Sequence, residues 1–110
     1  MQIVFPLAGE GQRFHDEGFD IWKPFIPING STIIDMALKS VNHIRAQIHI
    51  VSLRKYLEIY SREFQDLGKK YQIHELPAKT SGAASTVYAI NSQIDLEDSL
   101  LILDCDTIFD

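Results

Sequence analysis

Short apolar runs alternate with amphipathic segments along the 110 residues of the chain. Four runs rich in strand formers each predict a β-strand: residues 2–7 (QIVFPL), 48–53 (IHIVSL), 71–75 (YQIHE) and 100–103 (LLIL). The last run is apolar throughout, which is typical of a strand buried on both faces of a parallel sheet. In the second run His49 alternates with Ile48 and Ile50, so we expect its imidazole to face outward.

Amphipathic segments between these runs predict three helices. The first begins at a cap, Ser31 or Thr32, and runs to about residue 44. The second spans residues 55–67 and ends at Gly68, and the third covers residues 81–91. Alternating strands and helices predict an α/β fold with right-handed crossovers, whose doubly wound sheet has the local strand order 3-2-1-4.

The composition, with 45% hydrophobic and 23% charged residues, predicts a soluble globular protein with one domain over residues 1–110. The net charge is -5 and the chain has no broad basic face, which argues against nucleic acid as a partner. Neither a membrane span of ~20 apolar residues nor a secretory signal pattern is present. The lone Cys105 cannot form an internal disulfide, so we expect a reducing, cytoplasmic location away from membranes.

A glycine-rich segment, LAGEGQRF, overlaps the end of the first predicted strand and opens a stretch to residue 31 that we expect to be irregular. Gly9 and Gly11 leave main-chain amides accessible, and Arg13 adds a planar cation, which together favour a phosphate-bearing ligand. The dinucleotide fingerprint would require a third glycine where Phe14 stands. A Walker loop would require a Gly-Lys-Ser/Thr sequence, which the chain lacks.

PLAGEGQRF followed by WKPFIPING resembles the opening signature of the nucleoside-diphosphate-sugar pyrophosphorylases, which are sugar-1-phosphate nucleotidyltransferases. Two later segments agree in order and spacing. TSGAASTV at residues 80–87 is similar to the segment that holds the nucleobase, and LLILDCDTIFD at residues 100–110 is similar to the strand that delivers the first metal-binding aspartate. The chain departs from the family at Trp22, where many members have proline, and at Glu10, an acid in an anion-binding loop.

The resemblance implies the N-terminal, nucleotide-binding half of a longer family domain. Its fold would be a Rossmann-like, mostly parallel sheet of the nucleotide-diphospho-sugar transferase type, truncated after the fourth strand. The implied reaction transfers a nucleotidyl group from a nucleoside triphosphate to a sugar 1-phosphate and releases pyrophosphate, as in nucleotide-sugar and polysaccharide biosynthesis. A phosphate monoester has a second pKa of ~6, so no strong general base is needed and catalysis depends on positioning and electrostatics.

The resemblance also assigns site residues. The implied catalytic residues are Arg13, Lys23 and Asp106. The implied nucleotide-binding residues are Leu7, Ala8, Gly9, Glu10, Gly11, Gln12, Arg13 and Gly82. The implied cofactor is Mg²⁺, with the carboxylates of Asp106 and Asp104 as candidate ligands.

Topology supports the same site without the resemblance. In the order 3-2-1-4, strands one and four are neighbours where the winding reverses, and ligands bind beyond the carboxyl ends of such strands. The glycine segment with Arg13 follows strand one, and Asp106 follows strand four. We therefore expect these residues to be close in space.

Two other functions fit the same motifs. Asp104-Cys105-Asp106 matches the D-x-D pair of glycosyltransferases of related fold, although that reading leaves Arg13 and Lys23 unexplained. A truncated, non-catalytic nucleotide-binding domain is the other alternative. The edge of the fourth strand would be open to pairing, so self-association is also expected.

Overall fold

A computed structural model of the protein describes residues 1–7, 13–16, 19–76, 88, 90 and 98–103. The described residues form these elements in chain order: β1 (Gln2–Leu7), β2 (Arg13–Asp16), β3 (Phe19–Trp22), a 3-10 turn (Lys23–Phe25), β4 (Pro27–Ile28), β5 (Ser31–Thr32), α1 (Ile33–Val41), β6 (Gln47–Leu53), α2 (Arg54–Ile59), α3 (Ser61–Leu67), β7 (Gln72–Leu76) and β8 (Leu100–Ile102). No helix among them is long and apolar enough to cross a membrane.

The chain divides into two compact units. One comprises Met1–Ala8 and Ala46–Asp104, and the other comprises Gly9–Arg45 and Cys105–Asp110. The expectation that residues 1–110 act as one nucleotide-binding domain stays a prediction.

A four-stranded parallel sheet organises the first unit. Its order is β7-β6-β1-β8, with every neighbouring pair parallel. This is the order 3-2-1-4 predicted from the sequence, so the α/β fold class and the adjacency of the first and fourth main strands are confirmed. All six residues of β1 are buried, as the apolar run QIVFPL requires of a strand with neighbours on both sides.

The strand β8 is less buried than its sequence predicts. Leu100 is 40% exposed, and Leu101 and Ile102 are half-buried, so the expected burial on both faces is wrong. Within the described residues β8 pairs only with β1, and a strand at the end of a sheet keeps one side accessible. Self-association through this edge stays a prediction.

A buried polar network crosses the sheet at His49, whose predicted outward orientation is wrong. The His49 side chain is 1% exposed, and the buried side chains of Gln2 and His74 flank it. Its Nδ1 lies 2.8 Å from Nε2 of His74, and its Nε2 lies 2.5 Å from Oε1 of Gln2. Gln2 in turn donates from Nε2 to Asp98, at 3.2 Å.

The network determines which nitrogens carry protons. Gln2 donates its amide N–H to Asp98, so its Oε1 faces His49 and can only accept. Neutral His49 therefore donates from Nε2, and its Nδ1 accepts from His74. Burial, and then the neighbouring His74, lower the pKa of His49 below its ordinary value of 6.5. The folded protein thus favours the neutral imidazole.

We expect the free energy of unfolding to fall as the pH drops below 6.5, the ordinary pKa of histidine. Between that value and the lowered pKa of His49, the unfolded chain binds more protons than the folded one, so stability rises with pH across this window. Urea unfolding at a series of pH values measures the slope. His49→Gln should flatten it, whereas the exposed His43→Gln should leave it unchanged. Equal slopes in the wild type and His49→Gln would contradict the expectation.

The second unit contains two antiparallel ladders where the sequence predicts an irregular stretch. β2 pairs with β3, and β4 pairs with β5. Asn29 and Gly30 connect β4 to β5 with φ of 51° and 80°. Positive φ at both central residues is what a two-residue type I′ hairpin turn requires, and Asn-Gly is its preferred sequence. The turn residues that suggested irregular structure therefore mark hairpins.

Two helices differ from their predicted limits. α1 ends at Val41 rather than near residue 44. The predicted helix over 55–67 is divided into α2 and α3 at Tyr60, whose φ of -110° and ψ of 39° are not helical. Gly68 follows the last residue of α3, as predicted. Of the predicted helix over 81–91, only Tyr88 and Ile90 are described, and Ile90 is buried.

The N-cap of α1 is Thr32, which is one of the two residues predicted for this position. Its Oγ1 accepts a hydrogen bond from the main-chain N–H of Asp35 at 3.2 Å, which pairs one of the donors that a helix start leaves without an intrahelical partner.

We expect Thr32→Ala to lower the free energy of unfolding by about 1 kcal/mol, because alanine offers no acceptor for the Asp35 amide. Thr32→Ser keeps the hydroxyl and should retain most of the stability. Urea unfolding at neutral pH compares the variants. Equal losses in both variants would show that the hydroxyl does not stabilise the helix start.

Candidate functional site

Arg13 and Lys23 are brought to the same end of a hairpin. In the antiparallel register of β2 and β3, Arg13 lies opposite Trp22. Lys23 follows Trp22 directly and begins the 3-10 turn. Two cationic residues ten positions apart in the sequence therefore stand at neighbouring main-chain positions. Both residues are predicted site residues, but the hairpin that joins them was not predicted from the sequence.

A recognisable signal for this hairpin was present. Only Glu17-Gly18 separates β2 from β3, and the flanking residues include Phe14 and Ile21, which are good strand formers. A two-residue connection that contains glycine between such runs is typical of a β-hairpin. The prolines that follow, Pro24 and Pro27, made the segment look irregular.

The main chain at Lys23 is supported by ordered neighbours in its own unit. Pro24, the second residue of the 3-10 turn, is buried, and its ring fixes φ there. α1 contacts the turn, and the main-chain N–H of Ile33 donates to the carbonyl of Ile26 at 3.3 Å. Lys23 is thus attached to a packed turn, which suits a residue that has to hold a charge in place.

Leu7 ends β1, one of the two interior strands of the sheet, immediately before the glycine-rich residues 8–12. It is fully buried, and its carbonyl accepts a hydrogen bond from the Ser52 hydroxyl at 2.7 Å. The other predicted nucleotide-binding residues, Ala8, Gly9, Glu10, Gly11, Gln12 and Gly82, lie outside the described residues. Their contact with nucleotide stays a prediction.

β8 leads to the predicted metal ligands. The main-chain N–H of Leu103 donates to the carbonyl of Val4 at 2.9 Å, which continues the contact with β1 up to the residue before Asp104. Since β1 and β8 are parallel, Leu7 and Leu103 both lie toward the carboxyl edge of the sheet. This edge is where a doubly wound sheet binds its ligands.

Asp104 and Asp106 themselves lie outside the described residues, so Mg²⁺ stays a prediction. In the part of the chain that the structure describes, no three His, Cys, Asp or Glu side chains come together as a metal site.

Arg54, at the carboxyl edge of the sheet, has its charge balanced. Arg54 follows β6, and its Nε lies 3.3 Å from Glu58 and 3.7 Å from Glu75. All three side chains are at least half exposed, so these ion pairs add little stability. Two nearby carboxylates nevertheless make Arg54 a poor phosphate ligand.

No family model matches the chain, and no curated protein matches it. Among solved structures, the chain is similar to an inositol-1-phosphate CTP transferase from T. maritima, with a TM-score of 0.73 and 16% sequence identity. The similarity covers 96% of this chain and 43% of that one, so the chain spans less than half the length of the matching structure. At this identity the likeness shows a shared fold.

Proposed function

We propose that the chain carries the triphosphate-binding part of a nucleotidyltransferase that acts on a sugar 1-phosphate. The observation that carries the proposal is the register of β2 and β3, which places Arg13 beside Trp22 and so beside Lys23. Arg13 directly follows glycine-rich residues 8–12, and the register brings the main chain of Lys23 next to it. A glycine-rich segment with two cations suits a chain of phosphates, because main-chain amides and cations bind the same oxygens.

The structural neighbour supports the reaction class. That protein is an inositol-1-phosphate CTP transferase, a name that combines a nucleotide with a phosphate monoester. A sugar 1-phosphate presents the same nucleophile, a phosphate monoester that is largely doubly ionised at neutral pH. The fold and the residues together favour nucleotidyl transfer over other uses of a phosphate site.

In the proposed reaction an oxygen of the sugar phosphate attacks the α-phosphorus of the nucleoside triphosphate. The bond between the α-phosphorus and the bridging oxygen breaks, and pyrophosphate leaves with that oxygen. The Arg13 guanidinium holds the β- or γ-phosphate oxygens as negative charge develops on the leaving group, and the Lys23 ammonium holds the α-phosphate or the incoming sugar phosphate.

Asp106 and Asp104 are the proposed Mg²⁺ ligands, since carboxylate oxygens suit this ion. The bound ion would supply positive charge that neutralises the triphosphate and favours departure of pyrophosphate.

We expect Arg13→Ala and Lys23→Ala each to weaken triphosphate binding by about tenfold or more, because each removes a charge-assisted phosphate contact. Calorimetric titration of dTTP, UTP, CTP and GTP in the presence of Mg²⁺ measures the affinity. Arg62→Ala and Lys70→Ala, at exposed positions on and after α3, are the matched controls and should bind like the wild type. A wild-type protein that binds none of the four triphosphates would refute the proposal for this chain.

Asp106→Asn should remove the dependence of triphosphate binding on Mg²⁺, since an amide lacks the charge that holds the ion. The same titration with Mg²⁺ and with EDTA gives the affinity ratio, which we expect to fall close to one in the variant. The exposed Asp66→Asn is the control and should keep the wild-type ratio. A variant with an unchanged ratio would exclude Asp106 as a ligand.

The Asp104-Cys105-Asp106 sequence also suits a glycosyltransferase, which uses a finished nucleotide sugar. Pyrophosphate release from a triphosphate and a sugar 1-phosphate distinguishes the two reactions. Tighter binding of a nucleoside diphosphate than of the triphosphate, without pyrophosphate release, would favour the glycosyltransferase. Binding of a triphosphate with no turnover of any kind would indicate a non-catalytic domain.

A further inference from the structure

Ser52 is the polar residue in the apolar carboxyl-terminal half of β6. It stands between Val51 and Leu53, which are both buried, and it is itself 0% exposed. A buried hydroxyl is unfavourable unless it is hydrogen-bonded, and a β-branched apolar residue would suit an interior strand better. A serine at this position therefore needs a specific reason.

The partner of the hydroxyl is the main chain of the neighbouring strand. Ser52 Oγ donates to the Leu7 carbonyl at 2.7 Å. Leu7 and Ser52 form the last pair in the register of β1 and β6, and β6 continues one residue further, where Leu53 pairs with Leu76 of β7. The bond is thus made at the point where β1 ends.

We infer that Ser52 is a positioning residue for the glycine-rich residues 8–12. By holding the Leu7 carbonyl it fixes the main chain at the last residue of β1, and residues 8–12 follow directly in the sequence. The inference rests on the proposed function, since it assigns Ser52 a part in binding the triphosphate without any contact to it.

Ser40 is a second serine whose hydroxyl bonds to the main chain, and it offers a useful contrast. Ser40 donates to the carbonyl of Ala37 at 2.6 Å, three residues back in the same helix, and Ser40 is exposed. That bond joins two residues of one local turn, whereas the Ser52 bond joins residues 45 positions apart. Ser40→Ala therefore removes a bond of the same chemistry without touching the end of β1.

The experiment compares the wild type with Ser52→Ala, Ser52→Cys and the control Ser40→Ala. Cysteine keeps the size of serine but is a weak donor, so it serves if the alanine variant does not fold. Amide NMR signals of Gly9 and Gly11, together with those of Ile3 and Val4 nearer the start of β1, report the position of the chain. Calorimetric titration of the triphosphate that the wild type prefers, with Mg²⁺, reports affinity on fully folded protein.

We expect the Gly9 and Gly11 signals to move in both Ser52 variants while those of Ile3 and Val4 stay in place, and affinity to fall by about fivefold or more. Ser40→Ala should change neither. Lower stability with unchanged signals and unchanged affinity would reduce Ser52 to a structural residue and overturn the inference. Signals that move without any loss of affinity would overturn it as well. A wild type that binds no triphosphate would instead refute the proposed function, and the glycine signals would still decide whether Ser52 positions the segment.

Discussion

The complete burial of β1 is the constraint on which the sheet depends. With β6 on one side and β8 on the other, every polar group along this strand has to find its partner within the sheet. At the first residue the Gln2 side chain bonds His49 and Asp98, and at the last residue the Leu7 carbonyl bonds Ser52. Each end of β1 thus has a side-chain hydrogen bond to β6, and the apolar side chains between these ends form part of the core.

The strands of the parallel sheet and their order could be predicted from the sequence, whereas the hairpins of the second unit could not. The runs at the four main strands are short, apolar and separated by helical patterns, so type and order followed from general rules of chain connection. Between residues 13 and 32 the ladders are only two or four residues long. Their pairing depends on tight turns such as Asn29-Gly30, and the abundance of glycine and proline concealed it.

The burial of individual side chains also could not be predicted from the local pattern of apolar and polar residues. His49 alternates with isoleucines as an outward-facing residue would, yet it is buried, with hydrogen-bond partners in His74 and Gln2 on the neighbouring strands. Leu100 belongs to the most apolar run in the chain, yet it is partly exposed because its strand is at the end of the described sheet. For the site, the chemistry of Arg13 and the family resemblance pointed to Arg13 and Lys23, and only the hairpin register could show that their main chains are neighbours.

The histidine network has a consequence for how the strands recognise one another. An apolar parallel sheet can slip by two residues and still bury the same faces, because Ile, Val and Leu are nearly interchangeable partners. Gln2, His49 and His74 are not interchangeable, since each offers a particular donor or acceptor to the next. A slipped alignment would leave these groups buried without partners. The network therefore favours the native register of β1, β6 and β7 over other registers that would bury the same apolar faces.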